Sequence, residues 1–324
     1  MGCLATVIIP TYDHGPTIRY ALASALRQTV EDIEVIIIGD GVAEADKPLL
    51  FSLAASDARV SYVDRPKHVR RGEVYRHAAL ESAQGRIVCY LCDRDLWLPC
   101  HVERMSKQLE SADFTHSLSL HVRPDNSYQF FPTDLSLPEH RRFMRVRGNR
   151  VAFSCAAHTM ETYRSLPFGW RRTPEGIETD WYMFRHFLEM DNCRASSGTF
   201  PSAITFPSPS RRGWPTERRV AELKAWSERL ADEATREEIV RDILENAIRA
   251  RDASLADVMR EKEALQEQVT EFSTSLRPVY HALLWQCRTN LARIPGLRRV
   301  VRKIKRQRQR LKIKRQKAKG KRQE

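Results

Sequence analysis

Short apolar runs alternate with amphipathic stretches through the first third of the chain. Ala5 to Ile9, Ile33 to Ile38, Val60 to Val63 and Ile87 to Leu91 are nearly unbroken apolar runs, the pattern of strands covered on both faces. Between them, helical spacing runs from Gly15-Pro16 to about Gln28, from Lys47 to Ala55 and from Glu73 to Ala83. Pro16 suits a first helical position, where its missing N–H does no harm, and Gly39-Asp40-Gly41 is a turn-forming tripeptide that closes the second strand. Four strand–helix repeats predict βαβ units, right-handed crossovers and an α/β fold with a mostly parallel sheet flanked by helices.

The pattern weakens after Trp97-Leu98-Pro99, which leads into a helix over 100–109. Residues 114–160 offer only strand-like pieces, Ser127 to Phe131 and Arg150 to Ala157. A loop at Pro174-Glu175-Gly176 precedes a helix from Asp180 to Leu188. Pro201 to Pro215, proline-heavy and polar, reads as the end of the globular body. Glu217 to Phe272 is nearly free of Gly and Pro. Leu223, Trp226, Leu230, Ile239, Ile243 and Ala247 fall on a helical stripe, predicting one long helix or a hairpin packed as an appendage. No clean heptad favours a coiled coil. After Pro278, apolar residues from Tyr280 to Ile304 step by three or four with Lys and Arg on the other face, the profile of an interfacial membrane helix. The expected division is therefore a domain over 1–212, a helical extension over 213–275 and a basic amphipathic tail over 276–324.

The net charge of +13 changes meaning once it is located. Residues 288–324 hold 17 Lys and Arg against one acid, which leaves the remainder at −3. An anionic membrane surface is thus the expected partner of residues 278–322. Periodic apolar residues before Lys305 favour that reading over nucleic acid, the rival partner of a basic tail. No apolar run approaches the roughly 18 residues of a membrane span, and the first residues lack a basic, then apolar, secretory pattern. Seven scattered cysteines fit a reducing compartment, and Cys89 and Cys92 read as core packing. The expectation is a cytoplasmic protein, peripheral at the inner face of the membrane.

Candidate chemistry gathers at the strand ends. Asp93 and Asp95 follow the fourth run, where open α/β sheets bind ligands. Two carboxylates this close repel each other and lose hydration unless a cation joins them. Oxygen ligands favour Mg²⁺ or Mn²⁺, which take further ligands from phosphates. A turn with two solvated aspartates is the plainer alternative. Thr11, Tyr12, Asp13 and Asp40 end the first two strands and share this edge. Tyr12 is suited to stack on a nucleobase and Asp40 to accept hydrogen bonds from its edge. Arg70, Arg71 and Arg76 are suited to phosphate charge. The chain has no P-loop and no GxGxxG, so ATP hydrolysis and a dinucleotide cofactor lack their usual cradle.

Together these residues resemble a known family. Val7-Ile8-Ile9-Pro10-Thr11-Tyr12, Ala25-Leu26-Arg27-Gln28-Thr29 and Glu34-Val35-Ile36 are similar to the opening of family 2 glycosyltransferases of the GT-A fold. Arg76-His77-Ala78-Ala79-Leu80, Ala83 to Ile87 and Leu91 to Trp97 resemble that family's second block, and Glu178-Thr179-Asp180-Trp181 its Glu-Asp-Trp element. The resemblance covers residues 4–206 and implies a Rossmann-like GT-A domain followed by a helical extension and tail. It implies a nucleotide-sugar donor held by Pro10, Thr11, Tyr12, Asp40, Arg71, Arg76 and Asp93. It also implies a divalent metal (Mn²⁺ or Mg²⁺) on Asp93 and Asp95, and Asp180 as the general base. The implied activity is inverting, hexosyltransferase-type transfer to a glycan or lipid-linked acceptor, as in surface polysaccharide synthesis. A catalytically inactive sugar-binding or scaffold module is the rival. The chain departs from the family where paired acids become Gly39-Asp40, and where His77 and Thr179 replace the usual Asn and Glu. At the metal element, Cys92-Asp93-Arg94-Asp95 replaces two acids, one of them by a cation. Arg94 is expected to point along the strand's other face, away from the metal.

Overall fold

A computed structural model of the protein describes residues 3–292 and the isolated positions 303 and 309. Most of the basic tail expected over 276–324 therefore lies outside the described residues.

The four apolar runs become β1 (Ala5–Thr11), β2 (Ile33–Gly39), β3 (Val60–Val63) and β4 (Ile87–Tyr90), joined through α1 (Ile18–Leu26), α2 (Lys47–Ala55) and α3 (Glu73–Ser82). Beyond them come β5 (Leu96–Trp97), α4 (His101–Leu109), β6 (Phe114–His116), β7 (Leu120–Val122), β8 (Tyr128–Phe130) and α5 (Pro138–Val146). Then follow β9 (Ala156–Thr159), α6 (Met160–Ser165), α7 (Thr179–Glu189), β10 (Ala203–Ile204), α8 (Thr216–Ala231) and α9 (Glu233–Ala292).

Six strands form the central sheet in the order β3-β2-β1-β4-β9-β6. The first four are parallel, and β9 runs antiparallel between β4 and β6. Alternation along β1 sends Val7 and Ile9 to one face, where Ile18 and Leu22 of α1 and Val102 and Met105 of α4 cover them. Ile8 faces the other side with Val88 and Tyr90, under Leu80 of α3 and Phe184 and Phe187 of α7. Burial on both faces is why these strands read as continuous apolar runs. Gly85 lets β4 approach β1 closely, since a Cβ there would lie 2.3 Å from the Thr6 backbone nitrogen.

The compact body ends at Arg251, past the boundary expected near 212. Leu223, Trp226 and Leu230 of α8, with Ile239 and Ile243 of α9, share a core with Leu96, Leu98, Leu120 and Ile204. The stripe read as an appendage is thus part of the body's own interior. The proline-rich segment also belongs to the body: β10 pairs with β5, and Thr205 bridges to His121. Arg211, buried, is gripped by both oxygens of Glu222 at 2.6 Å and packs on Phe206 and Trp214. From Asp252 the second unit is helical to Ala292, straight through Pro278, with Leu255, Leu265, Phe272, Tyr280 and Trp285 exposed. Among the described residues no helix is long and apolar enough to cross a membrane.

Removing one partner of a buried ion pair strands the other's charge at a cost of about 3–5 kcal/mol. Glu222→Ala is accordingly expected to lower the denaturant midpoint by about that much in free energy; an unchanged midpoint would show that Arg211 finds another acceptor.

Candidate active site

The strand order places β1 beside β4, with β2 and β3 on one side and β9 and β6 on the other. The carboxyl ends of β1 and β4 therefore meet where successive crossovers diverge, the position at which open α/β sheets bind ligands. Thr11 ends β1 and Tyr12 and His14 follow it, Asp40 follows β2, and Asp93, Arg94 and Asp95 follow β4.

Asp93 is buried, and the protein itself supplies partners to both of its oxygens. Thr11 donates its hydroxyl to Oδ2 at 2.8 Å, and His14 Nδ1 lies 2.9 Å from Oδ1 and 3.1 Å from Oδ2. Burial works against this charge, yet His14, Arg94 and Thr11 hold the carboxyl below its usual range. His14 is anchored in turn by the Ser208 hydroxyl at 2.9 Å. Asp95, also buried, turns to other partners: Ser154 donates to Oδ2 at 2.5 Å and the Phe206 amide to Oδ1 at 2.8 Å. The same Ser154 hydroxyl accepts the Cys92 amide at 2.9 Å.

Arg94 faces the site and lines it, where the sequence reading turned it away. Its Nη1 stops 3.8 Å from Asp93 Oδ1, and its Nε is buried with no acceptor among the described residues. Burial opposes its charge, but the surrounding Cys92, Asp95, Asp93 and Asp180 raise its affinity for the proton above the arginine norm. The carboxylates account for this at neutral pH, because burial pushes the Cys92 thiol up to about 12.

Two adjoining cavities meet here. One, of about 660 Å³, takes in Pro10, Thr11, Tyr12, Asp40, Arg76 and Asp93. The other, of about 540 Å³, takes in Asp95, His121, Asn149 and Glu178. Arg70, Arg71, Arg94 and Asp180 line both. Asp180 lies in the first turn of α7, with Asn149 donating to Oδ2 at 3.1 Å. Burial pushes its carboxyl up, against the pull of Arg71 and Arg76. In the first cavity Asp40 accepts Lys67 Nζ at 2.5 Å and the His68 amide at 2.6 Å, while Lys67 also sits 4.4 Å over the Tyr12 ring. Arg76 is buried beside Trp170, gives Nη2 to the Arg71 carbonyl at 2.7 Å, and leaves Nε and Nη1 without acceptors among the described residues. Glu73, fully buried, fixes the basic loop by accepting the Arg71 and Thr173 amides.

All residues proposed from the sequence therefore reach one edge, but Asp93 and Asp95 are tied to different partners and line different cavities. His14, Lys67, Asn149, Ser154 and the 206–209 wall escaped the sequence reading. Only His14 carried a usable signal, three residues past a strand end that was already singled out. Trp97 and Trp170 are core residues, and Trp181 donates to the Met144 carbonyl at 2.5 Å.

A divalent ion would draw on carboxylates that are already engaged: Thr11 and His14 hold Asp93, Ser154 and the Phe206 amide hold Asp95, and the Arg94 guanidinium stands 3.8 Å from Asp93 Oδ1. Among the described residues no group of three or more His, Cys, Asp or Glu suited to a metal occurs, so an ion on one or two of these carboxylates would take its remaining ligands from phosphate oxygens and water.

Comparison with known proteins agrees with the fold. Residues 6–166 match the sequence profile of Glycosyl transferase family 2. An uncharacterized glycosyltransferase, YwdF of Bacillus subtilis, is 31% identical over 35% of this chain and 40% of its own length. The Escherichia coli UDP-Glc:alpha-D-GlcNAc-diphosphoundecaprenol beta-1,3-glucosyltransferase WfgD is 27% identical over 31% of this chain and 38% of its own. The chain thus matches well under half the length of either relative. The S. aureus TarS 1-349 structure in complex with UDP-GlcNAc superposes with a TM-score of 0.51 at 12% identity, covering 70% of each chain. With the parallel strand order, the strand-end residues and the profile match in agreement, residues 6–166 form a domain of glycosyltransferase family 2, on a GT-A framework.

Proposed function

We propose that this chain transfers a sugar from a nucleotide-sugar donor to an acceptor hydroxyl with inversion. The observation that carries the proposal is the placement of Asp180, whose carboxylate stands at the junction of two cavities at the switch point of the sheet. The cavity with Tyr12, Asp40 and Lys67 offers a ring face and polar groups for the nucleotide. Seven Lys or Arg side chains against four aspartates line it, which suits a diphosphate. The neighbouring cavity is open to the acceptor. The UDP-GlcNAc held by TarS and the diphosphoundecaprenol-linked substrate in the name of WfgD favour a nucleotide-sugar donor and a lipid-linked glycan acceptor.

In this reading Asp180 takes the proton from the acceptor hydroxyl while Asn149 fixes the orientation of its carboxylate. A carboxyl raised by burial is a better base near neutral pH than a solvated one. One base across the reacting carbon from the leaving group gives inversion. Alignment of both substrates in adjoining cavities supplies much of the remaining acceleration. Because Asp93 and Asp95 are separately committed, no step is assigned to a metal. The exposed Val279, Tyr280, Leu283 and Trp285 of α9 support attachment to an anionic cytoplasmic membrane face.

Asp180→Asn is expected to lower turnover about 10²–10⁴-fold, read as nucleoside diphosphate release across a panel of UDP-, GDP-, ADP-, CDP- and TDP-sugars; near wild-type release would remove Asp180 from the reaction. The base works only when deprotonated. Since its folded value lies above the ordinary 3.8, kcat/KM should fall on acidification at a higher pH than an unperturbed aspartate allows. An acidic limb at or below 3.8 would contradict a raised Asp180 carboxyl. Deleting residues 303–324 should weaken co-sedimentation with anionic vesicles while leaving diphosphate release intact, and unchanged sedimentation would dismiss the membrane role.

A further inference from the structure

The cleft carries a guanidinium between its two strand-end aspartates. Both oxygens of Asp93 are held by Thr11 and His14, and both oxygens of Asp95 by Ser154 and the Phe206 amide. Between these anchored groups stands Arg94, lining both cavities together with Asp180. Its side chain keeps a quarter of its surface accessible, and its nearest carboxylate oxygen, 3.8 Å away, is beyond hydrogen-bond range. Arg76, itself 94% buried and lining the first cavity, also leaves Nε and Nη1 unclaimed by protein acceptors among the described residues. Buried guanidinium donors are rarely left unpaired, because the lost hydration is costly. Those unpaired nitrogens are shielded from solvent, so an anion in the cleft would be met by the accessible quarter of the Arg94 side chain, whose planar fork matches two phosphate oxygens at once.

We propose that Arg94, supported by Arg76, binds the diphosphate of the donor directly and takes the part a divalent ion would play, so that this chain holds its donor without a metal. The inference rests on the transferase reading above. As the bond from the anomeric carbon to the diphosphate oxygen breaks, its electron pair stays on that oxygen, where the guanidinium meets the added charge. The acceptor oxygen bonds the carbon and its proton passes to Asp180, so no charge needs a counter-ion from solution. The carboxylates around Arg94 keep it charged, and the anchored Asp93 and Asp95 fix the backbone from which its head group reaches the leaving group.

The test is calorimetric titration of the full chain with UDP, GDP, ADP, CDP and TDP, each in EDTA and in Mn²⁺. Wild type is compared with Arg94→Gln and Arg94→Lys, folding being checked by thermal melts. The tightest-binding diphosphate should show nearly the same Kd in both media. Arg94→Gln should weaken it about tenfold or more in EDTA, as loss of a charged hydrogen-bond donor does, and Arg94→Lys should fall between. Its nucleoside monophosphate should be weakened less. Binding that appears only with Mn²⁺ overturns the inference and leaves the transferase reading standing. Binding in EDTA that neither variant weakens overturns the assignment to Arg94. If Arg94→Gln fails to fold, Arg94→Lys decides, since a retained point charge without the fork should still lose affinity. If no diphosphate binds in either medium, the inference and the transferase reading fall together.

Discussion

The site depends on one buried carboxylate. Asp95 takes the Ser154 hydroxyl on one oxygen and the Phe206 amide on the other, so three distant segments of chain converge just past β4. Ser154 passes the constraint on by accepting the Cys92 amide, and this fixes the turn from Cys92 to Asp95 on both sides of Arg94. Asp93 repeats the arrangement toward β1 through Thr11 and His14, and His14 reaches Ser208 on the far wall. A buried, hydrogen-bonded carboxylate is costly to disturb, so the loop has little freedom to rearrange. What remains adjustable at its centre is the Arg94 head group, and that is the group facing the cavities.

This wiring explains why a cleft with so many cations does not repel itself apart. Lys67 is paired with Asp40, Arg70 caps the carbonyls of Pro174 and Ile177, and Arg76 lies against the Trp170 ring. Each cation is held by a contact that leaves part of its hydrogen-bonding capacity open. Positions are thereby set before any ligand arrives, which lowers the ordering cost of binding a polyanion. Asp180 is raised by the same enclosure that lowers the local dielectric. In the proposed reaction, desolvation would do two tasks at one junction, sharpening the base and strengthening the field at the leaving group.

Much of this was legible in the sequence where local pattern and tertiary environment agree. The first four strands are covered on both faces, so their apolar runs announced them. Thr11, Tyr12, Asp40 and Asp93 stand out as polar residues at strand ends against such runs, whereas Asp180 is picked out only by the resemblance of Glu178-Thr179-Asp180-Trp181 to a family element. Residues 114–160 and 201–215 were not legible. Apart from the local hairpin of β7 and β8, their short strands pair with distant partners and are held by side-chain bonds such as Phe206 to Asp95, leaving little period of 2 or 3.6 to read. Pro138 at the start of α5 was an available helix signal, but few apolar residues followed it. The orientation of Arg94 was decided by the anchoring of its two neighbours, a fact of three dimensions that alternation along a strand does not supply. The helical stripe of Leu223 to Ile243 was visible, but its incorporation into the body depends on Leu96, Leu98 and Leu120 presenting a matching surface.

The most direct test of this account is a crystal structure of the full chain grown with a nucleoside diphosphate and excess Mn²⁺. The account predicts diphosphate oxygens within hydrogen-bond reach of the Arg94 guanidinium, Asp93 and Asp95 still on their present partners, and no anomalous manganese signal between them. A manganese ion bridging the diphosphate to either aspartate, with Arg94 swung out of the cleft, would contradict it.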